Sequence, residues 1–226
     1  MRRHLLKAAG LFVASRAFAG DQQGANMQPS SVKPRHVLCF LGKDESLLHP
    51  PKAVAKTIAD FSFEIDRTYS QGKPDPRMER SFGVCWDRVF PKAWSASDEA
   101  AVANHKSVLY VRSPPMAQQK TAAGSAAALQ IVDEMFDAGA IAAKGESAGV
   151  AHGVARWRSL AEQARNGAKT EQGLRMTPAV AKACRLAFAK RPLAGDRYFE
   201  SVGYHLVGLP TSMSRSRAAP IGPPWR

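Results

Sequence analysis

The spacing of apolar residues divides this chain into short elements. "HVLCFLG" (36–42) is an unbroken apolar run stopped by glycine, the pattern of a buried strand. "HPPKAVAKTIADF" (49–61) opens with proline, which suits a first helical turn because that turn leaves its N–H groups unbonded anyway. It places Val54, Ile58 and Phe61 on one helical face. "FSFEIDR" alternates Phe61, Phe63 and Ile65 with Ser62, Glu64 and Asp66, and predicts a half-buried strand. "SFGVCWDRVF" (81–90) shows the same alternation, with Phe82, Val84 and Trp86 on one side, and predicts another.

Further along, Ser97 in "WSASDEAAVANH" is expected to cap a short helix, because acids come after it at the positive end of the helix dipole. "KSVLYVRS" (106–113) reads as a strand. Residues 117–138 form the longest helical pattern, with Leu129, Val132 and Phe136 inward and Gly139 as its stop. "AIAAK" (140–144) is a short strand, and residues 154–165 a helix with Trp157, Leu160 and Ala161 inward. Thr177-Pro178 starts a helix carrying Val180, Cys184 and Phe188, and "RYFESVGYHLVG" reads as a last strand.

Mixed strands and helices with short connections predict one α+β domain over 36–209, a mixed sheet with helices packed mainly on one face. The Gly/Gln/Ser/Pro-rich residues 20–35 read as a linker, and the aperiodic Pro/Ser/Arg stretch 210–226 as a disordered basic tail. No apolar run approaches the roughly 18 residues of a membrane span.

Composition adds two things. An apolar share of 45% supports a core and rules out global disorder. A net charge of +13 favours acidic partners, so a binder of nucleic acid or anionic surfaces is one reading. The bases are scattered, however, with no aromatic–basic motif, and a solvated basic surface accounts for them. Arg2, Arg3, Lys7 and Arg16 precede residue 20 with no acid among them. Together with the apolar Ala8–Ala14 and Ala17-Phe18-Ala19, they resemble a twin-arginine export signal over 1–19, which implies a periplasmic or exported protein. Translation starting at Met27 would instead give a cytoplasmic one. Cys39, Cys85 and Cys184 lie in apolar contexts without C-x-x-C spacing, as buried free thiols do. His49, His105 and His205 show no metal-ligand spacing, and no cofactor motif is expected.

Gly145-Glu146-Ser147-Ala148-Gly149 is a G-x-S-x-G. In serine esterases that motif joins a strand to a helix and exposes a nucleophile, with an acid and a histidine later in the chain. Asp196 and His205 come after Ser147 in that order, so a serine hydrolase using Ser147, Asp196 and His205 is the enzymatic alternative. Against it, no convincing strand lies between Gly149 and Asp196, and no His-Gly-Gly stretch precedes the motif. The same letters describe a turn in which Ser147 bonds backbone. Glu146 and His152 are close enough in sequence to pair as acid and base, or to cap and orient the loop as a binding element.

Two stretches, "AAALQIVDEMFDAGAIAAKGESAGVAHGVARW" and "YFESVGYHLVGLP", resemble an uncharacterised bacterial domain family often encoded near toxin–immunity and type VI secretion genes. The resemblance implies a binding or neutralising role, with a protein such as a toxin as the partner. Thr211 stands where that family carries an acid after the Gly-Leu-Pro turn. Together these residues point to a non-enzymatic α+β binding protein, immunity-like in kind.

Overall fold

The expected first strand forms as Val37–Gly42 (β1) and lies at the centre of a five-stranded sheet. The computed structural model describes residues 33–86, 89, 94–168, 176–189, 193–194, 198–200, 203–209 and 213–215. After β1 come α1 (Lys52–Asp60), β2 (Glu64–Ile65), α2 (Met78–Trp86), α3 (Ala96–Ala103), β3 (Ser107–Arg112) and α4 (Thr121–Asp137). The chain continues through β4 (Ala140–Gly145), β5 (Val150–His152), α5 (Val154–Ala168) and α6 (Pro178–Phe188). The described elements end with β6 (Leu193–Ala194), β7 (Tyr198–Glu200) and β8 (Met213–Arg215), which form a small second sheet.

The main sheet runs β2-β3-β1-β4-β5, and every neighbouring pair is antiparallel. The fold is α+β as expected, but the sheet is not mixed. β3 and β4 run the same way, joined by the α4 crossover, yet β1 lies between them and opposes both. This is a split βαβ unit, so the parallel strands never pair.

Side chains alternate across the sheet and divide the core in two. Leu38, Phe40, Leu109, Val111 and Ala143 face a large cluster built with α1, α4, α5 and α6. Cys39, Leu41, Val108 and Ala151 face a smaller one closed by Met78, Phe82 and Cys85 of α2 and Val102 of α3. Leu129, Val132, Phe136, Trp157, Leu160, Ala161, Val180, Cys184 and Phe188 are all buried, as the helical periodicity predicts. Trp157 is fully enclosed, and its indole N–H donates to the Ala143 carbonyl at 3.0 Å, so its polar edge is satisfied.

Four local expectations are corrected. Residues 81–86 are not a strand, because Met78 through Trp86 form α2. Met78, Phe82 and Cys85 recur at helical spacing and are buried, while Val84 is 46% exposed. Asp75 starts the helix, with its carboxylate taking the Arg77 N–H and its carbonyl the Met78 N–H, each at 3.0 Å. The cap of α3 is Ser95, not Ser97, because Ser95 and Asp98 close a reciprocal capping box. "FSFEIDR" contributes only two strand residues. Ser62 adopts φ 60 and Phe63 donates its N–H to the Ile58 carbonyl, so this stretch first finishes α1. The expected last strand breaks after β7 at Gly203, whose φ of 84 suits glycine. A Cβ there would also lie 2.4 Å from the Phe188 carbonyl oxygen. Beyond it, Tyr204–Val207 is a 3-10 turn.

Two boundaries also move. Pro34 and Arg35, placed in the linker, are bonded to the body of the fold through Met116 and Ser113. β8 falls inside the stretch expected to be a disordered tail and pairs with β7. The export signal at 1–19, residues 20–32, Asp196 and most of the tail lie outside the described residues. Among the described residues, no helix is long and apolar enough to cross a membrane.

Candidate functional site

The G-x-S-x-G stretch turns β4 into β5. Lys144 pairs with Ala151 and Gly145 with Val150 in an antiparallel hairpin. Gly149, at φ 57, is where the turn needs glycine. The element after Ser147 is therefore a strand, not the helix that a nucleophile elbow requires to help hold an oxyanion. The Ser147 hydroxyl accepts the backbone N–H of Val37 at 2.8 Å, and the neighbouring Glu146 N–H donates to the Val37 carbonyl at 2.8 Å. The loop thus latches the start of β1 through both of that residue's backbone groups.

The other sequence candidates do not gather around Ser147. His205 stands on the 3-10 turn, not in a strand, and burial lowers its pKa. Among the described residues no histidine hydrogen-bonds Ser147, and Asp196 is not among them. Glu146 is half exposed and ion-pairs with Lys144 at 2.6 Å. His152 is buried under α5 and α6, its Nε2–H donating to the Ala187 carbonyl at 3.2 Å and its ring standing edge-on to Trp157. Burial pushes its pKa down to about 4, so the ring is neutral. Its Nδ1 has no hydrogen-bond partner. Glu146 and His152 therefore make separate contacts, one at the surface and one in the core.

His36, which no motif in the sequence singles out, is equally enclosed. The Ser125 hydroxyl donates to the Leu206 carbonyl at 2.6 Å, so the contact of 2.9 Å between Ser125 Oγ and His36 Nε2 is donated by the imidazole. Burial, with His205 nearby, pushes the His36 pKa down to about 3. Burial also pushes the Cys39 and Cys184 thiols up to about 12, which removes both as thiolate nucleophiles. Among the described residues no group of three His, Cys, Asp or Glu could hold a metal ion.

A polar cluster of a different kind lies beneath α2. Tyr110, Cys39, Lys144 and Ala151 stand in register across β3, β1, β4 and β5. Lys144 is 1% exposed. Its ammonium meets Glu146, donates to the Ser81 hydroxyl on α2 and lies 5.3 Å from the centre of the Phe82 ring. A buried ammonium is stable only with partners of this kind, and this one ties α2 to the sheet. Arg77 holds Asp75 with two parallel N–H donations, at 2.9 and 2.7 Å. This keeps the Asp75 pKa at about 2.

Two grooves flank α2. One, about 560 Å³, is lined by Pro76, Arg77, Arg80, Ser81, Val84 and Cys85. The other, about 380 Å³, lies towards α3 and is lined by Glu79, Trp86, Glu99 and small residues, with Trp94 stacked on Trp86 at 4.3 Å. Neither is visible in the sequence while residues 81–90 read as a strand, since a strand splits the residues that line each groove between two faces. The signal is nonetheless present: Arg77, Ser81 and Val84 at helical spacing, with Met78, Phe82 and Cys85 on the adjacent, buried stripe. No family model matches the chain, and neither the curated proteins nor the solved structures give a match.

Proposed function

We propose that this is a non-enzymatic binding protein, of the toxin-neutralising kind that the resemblance in its sequence implies. The observation that carries the first part is the Ser147 hydroxyl, which accepts the Val37 N–H inside a β-hairpin turn. A serine in that role fixes the start of the central strand. The hydrolase reading lacks a helix after the motif and a histidine in contact with Ser147, and so gains nothing from the geometry. The grooves beside α2 supply what a binding protein needs, open concave surface backed by a helix that is tied to the sheet from below. Immunity-like action would consist of covering a partner's surface, with no bond made or broken.

The test is co-expression with the products of the genes flanking its own, one at a time. If one of them stops growth, this chain should restore it and should co-purify with it from the same cells. Growth restored only by chains that retain ester-hydrolysing activity would contradict the reading.

A further inference from the structure

We infer that the groove lined by Arg77, Arg80 and Val84 is the docking site for an acidic segment of a partner protein that also carries an apolar side chain. This rests on the binding reading above and names the partner's chemistry. Arg77, just before α2, and Ser81 and Val84 on it fall one helical turn apart, with Arg80 beside them. Residues so spaced form one stripe on a helix. Among the described residues no carboxylate lines the groove. Arg77 is oriented by Asp75, which already takes two of its N–H groups, so the charge the groove offers comes chiefly from Arg80. Arg80 is exposed and makes no ion pair with a described residue.

The floor is apolar. Pro76 and Val84 line it, and Val84 is among the three large apolar residues that stay exposed among the described residues. Arginines beside an apolar floor fit a carboxylate next to a Leu-like anchor, the pairing found where interface residues contribute most. The wall is also rigid. Ser81 is bonded to Lys144, whose ammonium is pinned by Glu146, so little freedom is lost when something binds. The net charge of +13 steers an acidic partner towards the molecule. Nucleic acid is also anionic, but single strands are held by stacking on aromatic rings, and among the described residues no aromatic one lines this groove.

The experiment uses the full chain and three fluorescent probes. One is a short peptide with Glu and Leu at helical spacing, the second its Gln counterpart, the third a single-stranded oligonucleotide. The Glu peptide should bind about tenfold more tightly than the Gln peptide, and added salt should weaken it. Arg80→Glu and Val84→Asp should each weaken it by about tenfold or more, and the milder Arg80→Gln by less. Glu99→Gln, in the groove on the other side of α2, should leave the affinity unchanged. Thermal melts matching the parent show that each variant is folded.

Equal affinity for the two peptides, or affinity unmoved by both Arg80→Glu and Val84→Asp, overturns the inference. So does oligonucleotide binding tighter than the peptide's that survives Arg80→Glu, since scattered charge would then explain it. The two proposals fail separately. Restored growth in co-expression with Arg80→Glu and Val84→Asp fully active would remove the groove and leave the binding protein. Ester turnover at Ser147 with the peptide still bound in the groove would remove the non-enzymatic reading and leave the groove.

Discussion

The two faces of the main sheet are built on different principles. Against α4, α5 and α6 the sheet is sealed with Leu38, Phe40, Leu109, Leu129, Trp157 and Phe188. Its polar atoms are mostly closed off in pairs, such as the indole of Trp157 on the Ala143 carbonyl. Against α2 the sheet carries Cys39, Tyr110 and Lys144, and the helix answers with Ser81 and Phe82. The first face is held by area removed from water, which is non-directional and large. The second is packed by a smaller apolar cluster and adds a directional ionic contact that fixes where α2 sits but contributes little net stability. On the proposed binding reading the division has a use: the sealed face stabilises, and the pinned face keeps an open, charged surface in place.

Acid should act most strongly on the sealed face, because the two buried histidines with strongly lowered pKa values belong to it. His36 and His152 have pKa values lowered to about 3 and about 4, against an ordinary 6.5. The unfolded chain therefore takes up protons first as pH falls. Stability is fully present above pH 6.5 and is lost progressively down to about pH 4 for His152 and about pH 3 for His36. Each pH unit between folded and unfolded values is worth about 1.4 kcal/mol per histidine, so the loss should reach several kcal/mol. Urea melts across that range check it, and His152→Gln should flatten part of the slope. A flat profile from about pH 7 to about pH 4 would mean the histidines are hydrated.

Next in size is Trp157→Ala on the sealed face, expected to cost about 3–5 kcal/mol in a denaturant melt. On the pinned face, Lys144→Ala should cost about 2–4 kcal/mol, less than a fully buried pair because Glu146 stays half in water. Lys144→Met, which keeps the volume, should cost under about 1 kcal/mol yet loosen α2, seen as faster amide exchange along Met78–Trp86. Equal losses for Ala and Met would mean that charge, not packing, holds this helix. A modest effect belongs to Ser147→Ala. It leaves the Val37 N–H without its acceptor and should cost about 1–2 kcal/mol.

The sealed face is legible in the sequence and the pinned face is not, for a physical reason. Burial behind helices imposes a clean period, so Leu129, Val132, Phe136, Trp157 and Phe188 can be placed from spacing alone. On α2, Phe82, Val84 and Trp86 satisfy a two-residue period as well as Met78, Phe82 and Cys85 satisfy a helical one. The choice is made by Asp75, whose carboxylate and carbonyl start the helix. Antiparallel pairing of β1 with both β3 and β4 is also set by long-range contacts that no local window contains. The candidate chemistry misleads for a related reason. G-x-S-x-G fits a hairpin turn as well as an elbow, and only the presence of β5 distinguishes them. Lys144, read as the end of an alanine-rich strand, gives no sign that its ammonium is buried against Ser81, a contact spanning 63 positions.

The most direct test asks what Ser147 does. The purified chain is treated with a fluorophosphonate probe, digested and mapped by mass, and its turnover of short-chain esters is measured beside that of Ser147→Ala. A hydroxyl committed to the Val37 N–H, with no described histidine bonded to it, predicts no adduct on Ser147 and no turnover by either protein. An adduct on Ser147, with ester hydrolysis abolished by Ser147→Ala while the melt stays unchanged, would contradict the non-enzymatic account.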